Sequence, residues 1–303
     1  MAHMARWRQT LNIQDDAAAT GLLKTYRTRQ AYAKAVESTQ KLQSLGLKAD
    51  CLTTRETIKT EPALAAVADN IYGGIFYPDD YKADAHLFCQ ALANAVGDMG
   101  GDIITGTTVE SLLTSEDKIV GVQTAQETYR AGTTIIACGA RSLAWLHSQN
   151  NSPRLARALK PLRMQPVKGY SLTFKNVTPA QVRPGVVHPK MPVVDESLHC
   201  AVTPFSHGLR IAGTAEITGF DPSEHPKRLA PLLGMLRDLY PDIARGLTLG
   251  DADIWHGFRP VSADGKPIIT KLIPGLALNT GQSHMGWTQC AGSAEKLAYI
   301  LMI

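Results

Sequence analysis

The stretch Asn279-Thr280-Gly281-Gln282-Ser283-His284-Met285-Gly286-Trp287-Thr288 decides how this chain is read. An apolar run from Gly275 to Asn279 enters it as a strand, two glycines bracket a turn, and a helix opens at about Thr288. Such a turn gathers backbone N–H groups and the positive end of a helix at one spot, which suits an electron-rich ligand edge. A plain strand-to-helix turn uses glycine as well, and at this level both readings stand.

Upstream of that stretch the period changes repeatedly. Residues 14–46 read as helical, with Gly46 as the stop, and Thr53-Thr54-Arg55-Glu56 is a capping box opening a short helix before Pro62. Gly73 to Pro78 reads as a strand entering a turn, and residues 83–99 form the clearest amphipathic helix, with Asp84 as its cap. Residues 102–105, 109–113, 119–124 and 133–137 are short β-branched runs, expected as a small antiparallel sheet. A second β-rich region covers 170–174, 200–204 and 209–213, followed by a helix over 226–239. The expectation is an α+β fold of two interleaved lobes rather than two sequential domains.

Bulk properties narrow the function. With 303 residues, 44% hydrophobic and 19% charged, the chain can bury a substantial core. Its formal charge of +4 is spread without a basic cluster, so no nucleic-acid partner is expected. Cys51, Cys89, Cys138, Cys200 and Cys290 lie far apart, which points to reduced thiols in a cytoplasmic setting rather than disulfides or a zinc site. Asp79, Asp80 and His86 lack a third partner at metal-ligand spacing and read as a solvated helix start. No apolar run is long enough for a membrane span, and the first residues lack a signal-peptide core. The sequence contains no G-x-G-x-x-G, P-loop, H-E-x-x-H or G-x-S-x-G motif. Both ends read as cut, the first by its abrupt polar opening and the last inside an apolar helix.

Three segments hold residue types that a fold alone would not select: Pro166 to Leu172, Trp255 to Pro267, and the turn quoted first. Together with Glu61-Pro62-Ala63-Leu64, Gly73-Gly74, Ile211 to Ile217 and Asp238-Leu239-Tyr240-Pro241, they resemble the D-amino acid dehydrogenase small-subunit family. That family lies within the flavin amine oxidoreductases that include glycine oxidase and D-amino acid oxidase. The likeness runs in order from about residue 20 onward. It implies FAD as cofactor, a small amino-acid substrate, a quinone as electron acceptor, and a peripheral place at the inner membrane face. It also implies an α/β-type flavin lobe, N-terminally truncated by the loss of its G-x-G-x-x-G segment, beside a substrate lobe of mixed and antiparallel sheet. The expected divisions are 1–72 (helical segment and start of the substrate lobe), 73–165 (partial flavin lobe), 166–256 (substrate lobe) and 257–303 (return to the flavin lobe). A chain so built is expected to self-associate or to take the missing segment from a partner chain.

Residue by residue, the resemblance places Arg259 and Tyr170 at the substrate, and Val109, Gly139, Gly281, Gly286, Trp287 and Thr288 at the cofactor. A guanidinium is the natural partner of an α-amino acid's carboxylate because its fork binds in bidentate fashion. Hydride transfer from a neutral amine needs orientation more than acid–base machinery, so no residue is assigned as a catalytic acid or base. Each assignment has a plainer alternative: an ion-paired Arg259, a Tyr170 that packs its ring, a core Val109, a turn Gly139. Relatives carry Gly-His-Gly-Thr where this chain has Gly281-Gln282-Ser283-His284, which puts flavin contact at 283 in question. The expected activity is FAD-dependent oxidative deamination of a small amino acid of the D series. The alternative is an inactive relative unable to hold FAD alone, acting as a binding module or non-functional fragment.

Overall fold

The computed structural model describes residues 2–149 and 152–302. The chain enters through helix α1 (Ala2–Thr10) and passes to strand β1 (Leu22–Tyr26), helix α2 (Arg29–Gln43) and strand β2 (Asp50–Thr53). The single helix expected over 14–46 is therefore a strand followed by a helix. Leu23, Thr25 and Tyr26 are buried by pairing with strands distant in sequence, a tertiary reason that overrides the local pattern. The capping box forms and opens α3 (Thr54–Thr60), with Thr53 N donating to Glu56 Oε2 at 2.9 Å. Strand β3 (Gly73–Tyr77) and helix α4 (Ala85–Asp98), capped by Asp84, follow as expected.

Strands β4 (Val109–Ser115), β5 (Lys118–Thr124) and β6 (Thr128–Arg130) form a small antiparallel sheet of their own. Two expectations fail here. Residues 102–105 form no strand, since no described strand bonds to them and a ladder needs a partner; Ile103 and Ile104 stay exposed. Strand β7 (Thr134–Ile136) leaves the antiparallel group and pairs instead with a strand much later in the chain.

Helices α5 (Ser142–Ser148) and α6 (Pro153–Leu159) lead into β8 (Met164–Phe174), β9 (Val193–Asp195), β10 (Cys200–Phe205) and β11 (Gly208–Glu216). Helices α7 (Pro226–Leu239) and α8 (Pro241–Ala244) precede β12 (Asp253–Ser262), β13 (Ile268–Ile273), β14 (Leu276–Thr280) and helix α9 (Gly286–Met302). The large sheet has the order β12-β8-β11-β10-β9-β1-β3-β2, with β1 and β9 parallel and its other pairings antiparallel. Leu172, Phe174, Leu209 and Ile211 of this sheet pack with Leu232, Leu233 and Leu236 of α7 in the principal core. The third sheet, β13-β14-β7, joins β14 to β7 in parallel and packs with residues of α5 and α6.

The large sheet draws on strands from both halves of the chain. β3 pairs with β1 and β2 in the large sheet. At the other end, β12 stays paired with β8 through Ser262. Both results follow from strand pairing between segments remote in sequence, which local pattern does not encode.

Candidate functional site

The site grows out of the ribbon of β8 and β12. Its register pairs Arg259 with Val167, Phe258 with Lys168, Gly257 with Gly169 and His256 with Tyr170. Alternation then sorts the side chains. Val167, Gly169, Gly257 and Arg259 share one face; Lys168, Tyr170, His256 and Phe258 share the other.

On the first face the Arg259 guanidinium lies across Gly169, so closely that a Cβ at 169 would collide with it. Glycine is what allows the fork to rest on the backbone. Arg259 Nη1 donates to the carbonyl of Thr214 at 3.1 Å, and among the described residues no carboxylate pairs with it. Burial holds its pKa below the ordinary arginine value, with no opposing charge to restore it. Thr214 sits in the irregularity of β11 between Gly213 and Glu216 and has φ +65°. A β-branched residue in the left-handed region is strained, and here the strain places a carbonyl on the arginine.

The second face is saturated. Tyr170 is buried, and its hydroxyl donates to Glu216 Oε2 at 3.0 Å; Arg228 Nε donates to the other oxygen at 2.9 Å. Burial pushes the Glu216 carboxyl up, but hydrogen bonds from Tyr170 and Arg228 outweigh it and hold the group below the usual range. Lys168, fully enclosed, donates to the carbonyls of Asp221 and Ser223. Tyr170 and Arg259 are thus not brought together. The phenol is turned to the core by strand parity, and its hydrogen-bonding capacity goes to Glu216. A cleft of about 760 Å³ beside Ala140, Met164, Pro166 and Phe220 also lies on the Tyr170 side by the same parity.

The remaining wall comes from the third sheet. The parallel strands β7 and β14 end side by side, and Thr280 Oγ1 donates to the carbonyl of Gly139 at 2.8 Å. Gly139 (φ +54°) and Gly281 (φ +79°) both lie in the left-handed region, and a Cβ on Gly139 would point into open space. A lone bridge between Val261 and Gln282 ties the turn to the strand that carries Arg259. Ser283, buried with φ +54°, has a hydroxyl with no partner among the described residues. The structure thus brings Arg259, Gly139, Gly281 and Gly286 to neighbouring elements. It does not bring Val109, which opens β4 in the separate small sheet. The Trp287 ring packs edge-on against Phe88 at 5.3 Å in a cluster with Met4 and Ile13, and Thr288 is exposed.

Sequence reasoning missed Thr214, Lys168 and Glu216 as working residues. A left-handed threonine has no sequence signature, because threonine is among the residues least suited to that conformation. Ser283 was visible only as a departure from the relatives' glycine.

These features fit the ring end of a flavin dinucleotide. The carboxyl ends of adjacent parallel strands, two left-handed glycines, the start of a long helix and an unpartnered buried hydroxyl form a donor-rich cradle. The five cysteines are free thiols. No helix among the described residues is long and apolar enough to cross a membrane, and none of them gather as a metal-binding cluster.

Comparison with known proteins agrees with this geometry. The family model described as DAO, FAD dependent oxidoreductase, matches residues 1–300. The chain is 32% identical over 302 residues to D-amino acid dehydrogenase of Vibrio vulnificus (strain CMCP6), covering 98% of this chain and 67% of that protein. Glycine oxidase from Geobacillus kaustophilus has the same fold, with TM-score 0.81 and 22% identity over 99% of this chain and 76% of that one. Glycine oxidase from Bacillus cereus ATCC 14579 gives 0.80 and 22%, over 97% and 75%. The chain belongs to the DAO family of FAD-dependent oxidoreductases, whose cofactor is FAD.

Proposed function

We propose that the chain oxidises a small amino acid of the D series at Cα, giving an imino acid that water converts to the keto acid and ammonium. The observation that carries this reading is Arg259, a half-buried guanidinium resting on Gly169 with one carbonyl contact and no counter-charge among the described residues. Leaving such a cation unpaired is costly, and a carboxylate is the ligand that best matches its fork. FAD, when bound, supplies the acceptor for the hydride that leaves Cα.

The rest is the work of this chain's residues. Arg259 takes the substrate carboxylate in bidentate fashion, and Thr214 O keeps the guanidinium from turning. Gly169 lets the guanidinium rest on the ribbon, and Gly257 does the same for the Trp255 ring beside it on that face. Gly139, Gly281 and Gly286 are the cofactor-side residues of this reading, through backbone approach. Val109, Trp287 and Thr288 have no side-chain task in it. The amine is taken up neutral, so the protein supplies position rather than a general base. Preference for the D series is drawn from the name of the Vibrio relative, and a quinone as the acceptor from the family resemblance. An inactive chain finds no support in the site, where the arginine and its glycine platform are intact.

The test is dye reduction with D-alanine by the purified, flavin-loaded protein and its Arg259→Ala variant. Loss of turnover through a raised KM supports the reading. An unchanged KM for the amino acid removes its central residue.

A further inference from the structure

Ser283 has no task in the function above, yet its conformation is unfavourable in two ways. It holds φ +54°, a region that glycine occupies without strain, and its Oγ is buried with no hydrogen-bond partner among the described residues. Only 7% of the residue is exposed, so water does not readily satisfy the hydroxyl. Glycine or alanine at this position would be easier on the folded chain.

The turn around it is firmly held. Gln282 Nε2 donates to Asn279 Oδ1 at 2.7 Å, Met285 N donates to Gln282 O at 3.0 Å, and Gln282 is bridged to Val261. Among the described side chains of residues 279–285, the Ser283 hydroxyl is the buried polar group left without a partner. It stands at the carboxyl ends of β7 and β14, where open α/β sheets bind their ligands, and across the bridge from the strand of Arg259.

We propose that Ser283 is a cofactor-contact residue: after a rotation about χ1, its hydroxyl donates a hydrogen bond to the electron-rich pyrimidine edge of the flavin ring. The inference rests on reading this turn as the flavin side of the site. One further donor at that edge favours the reduced, more negative ring, so Ser283 raises the midpoint potential as well as the affinity.

The experiment titrates riboflavin, and separately FAD, into wild type and Ser283→Ala by flavin fluorescence, and records thermal melts of both proteins without flavin. The expected result is a pair of opposite changes. Ser283→Ala melts higher without flavin, because an unsatisfied buried hydroxyl is gone, yet binds flavin about tenfold more weakly and shifts the potential downward. Ser283→Gly repeats the loss of affinity with a larger gain in melting temperature. Tyr240→Phe is the reference, since it deletes another buried hydroxyl without a partner, in the principal core; it melts higher and leaves flavin affinity unchanged. Wild-type affinity in Ser283→Ala overturns this inference alone. Failure of wild type to bind either flavin overturns the flavin-side reading and the inference with it.

Discussion

The β8–β12 ribbon carries a cation on each face, and the two are treated differently. Lys168 lies over the Tyr170 ring at 5.0 Å and donates to the carbonyls of Asp221 and Ser223, in the segment linking β11 to α7. Arg259 has five N–H donors, and its one recorded hydrogen bond goes to Thr214 O at 3.1 Å. Lys168 is fully buried and Arg259 half-buried, and neither is paired with a carboxylate among the described residues. Lys168 finds its counterpart in backbone dipoles and thereby fastens a loop. Arg259 keeps most of its capacity for something outside the chain. The contrast shows how to tell a structural cation from a ligand-binding one: by the donors left over.

The widest separation between the faces should appear in two substitutions. Arg259→Ala is expected to lower kcat/KM for the amino acid by about 10²- to 10³-fold, the scale of a lost bidentate charge contact. Its melting temperature should hold or rise, since a half-buried charge with no carboxylate partner disappears. Lys168→Met should do the reverse, lowering the free energy of unfolding by about 2–3 kcal/mol through lost charge-assisted hydrogen bonds while KM moves little. Denaturant melts and steady-state kinetics on both variants measure this directly. An exchange of the two signatures would place substrate on the Lys168 face and break the comparison.

Tyr170→Phe sharpens it further. The structure gives the phenol one main task, its hydrogen bond to Glu216, so the variant should lose about 1 kcal/mol of stability with KM unchanged. A KM raised tenfold or more would return Tyr170 to the substrate side, where the family resemblance puts it. The family resemblance placed both Tyr170 and Arg259 at the substrate. It could not say that they face opposite ways. That depends on the register Gly257↔Gly169, a pairing between segments far apart in the chain.

The same limit runs through the fold. Elements whose signals are local came through the sequence intact: the Thr53–Glu56 capping box, the Asp84 cap of α4, and the helix over 226–239. Elements that exist only through a distant partner did not. β1 looked helical until β3 and β9 paired with it, and residues 102–105 looked extended but have no described strand to join. β7 seemed to continue the antiparallel runs before it, yet its ladder is to β14. Local chemistry proposes an element, and long-range pairing accepts or refuses it.

The smallest expected effect concerns Thr214, where the two faces meet. Glycine adopts φ +65° freely, so Thr214→Gly removes left-handed strain of about 1–2 kcal/mol and adds back about 0.5–1 kcal/mol of unfolded-chain entropy. The net is a melting temperature unchanged or slightly raised. The carbonyl that touches Arg259 belongs to the backbone and survives the substitution, and the Thr214 hydroxyl has no partner among the described residues to lose. KM for the amino acid should therefore rise no more than about threefold, or about 0.65 kcal/mol. If KM instead rose as far as in Arg259→Ala, the carbonyl alone would not be what positions the guanidinium. The stiffness of a β-branched residue would then be holding the kink, and the strain at 214 would belong to substrate binding rather than to the bulge.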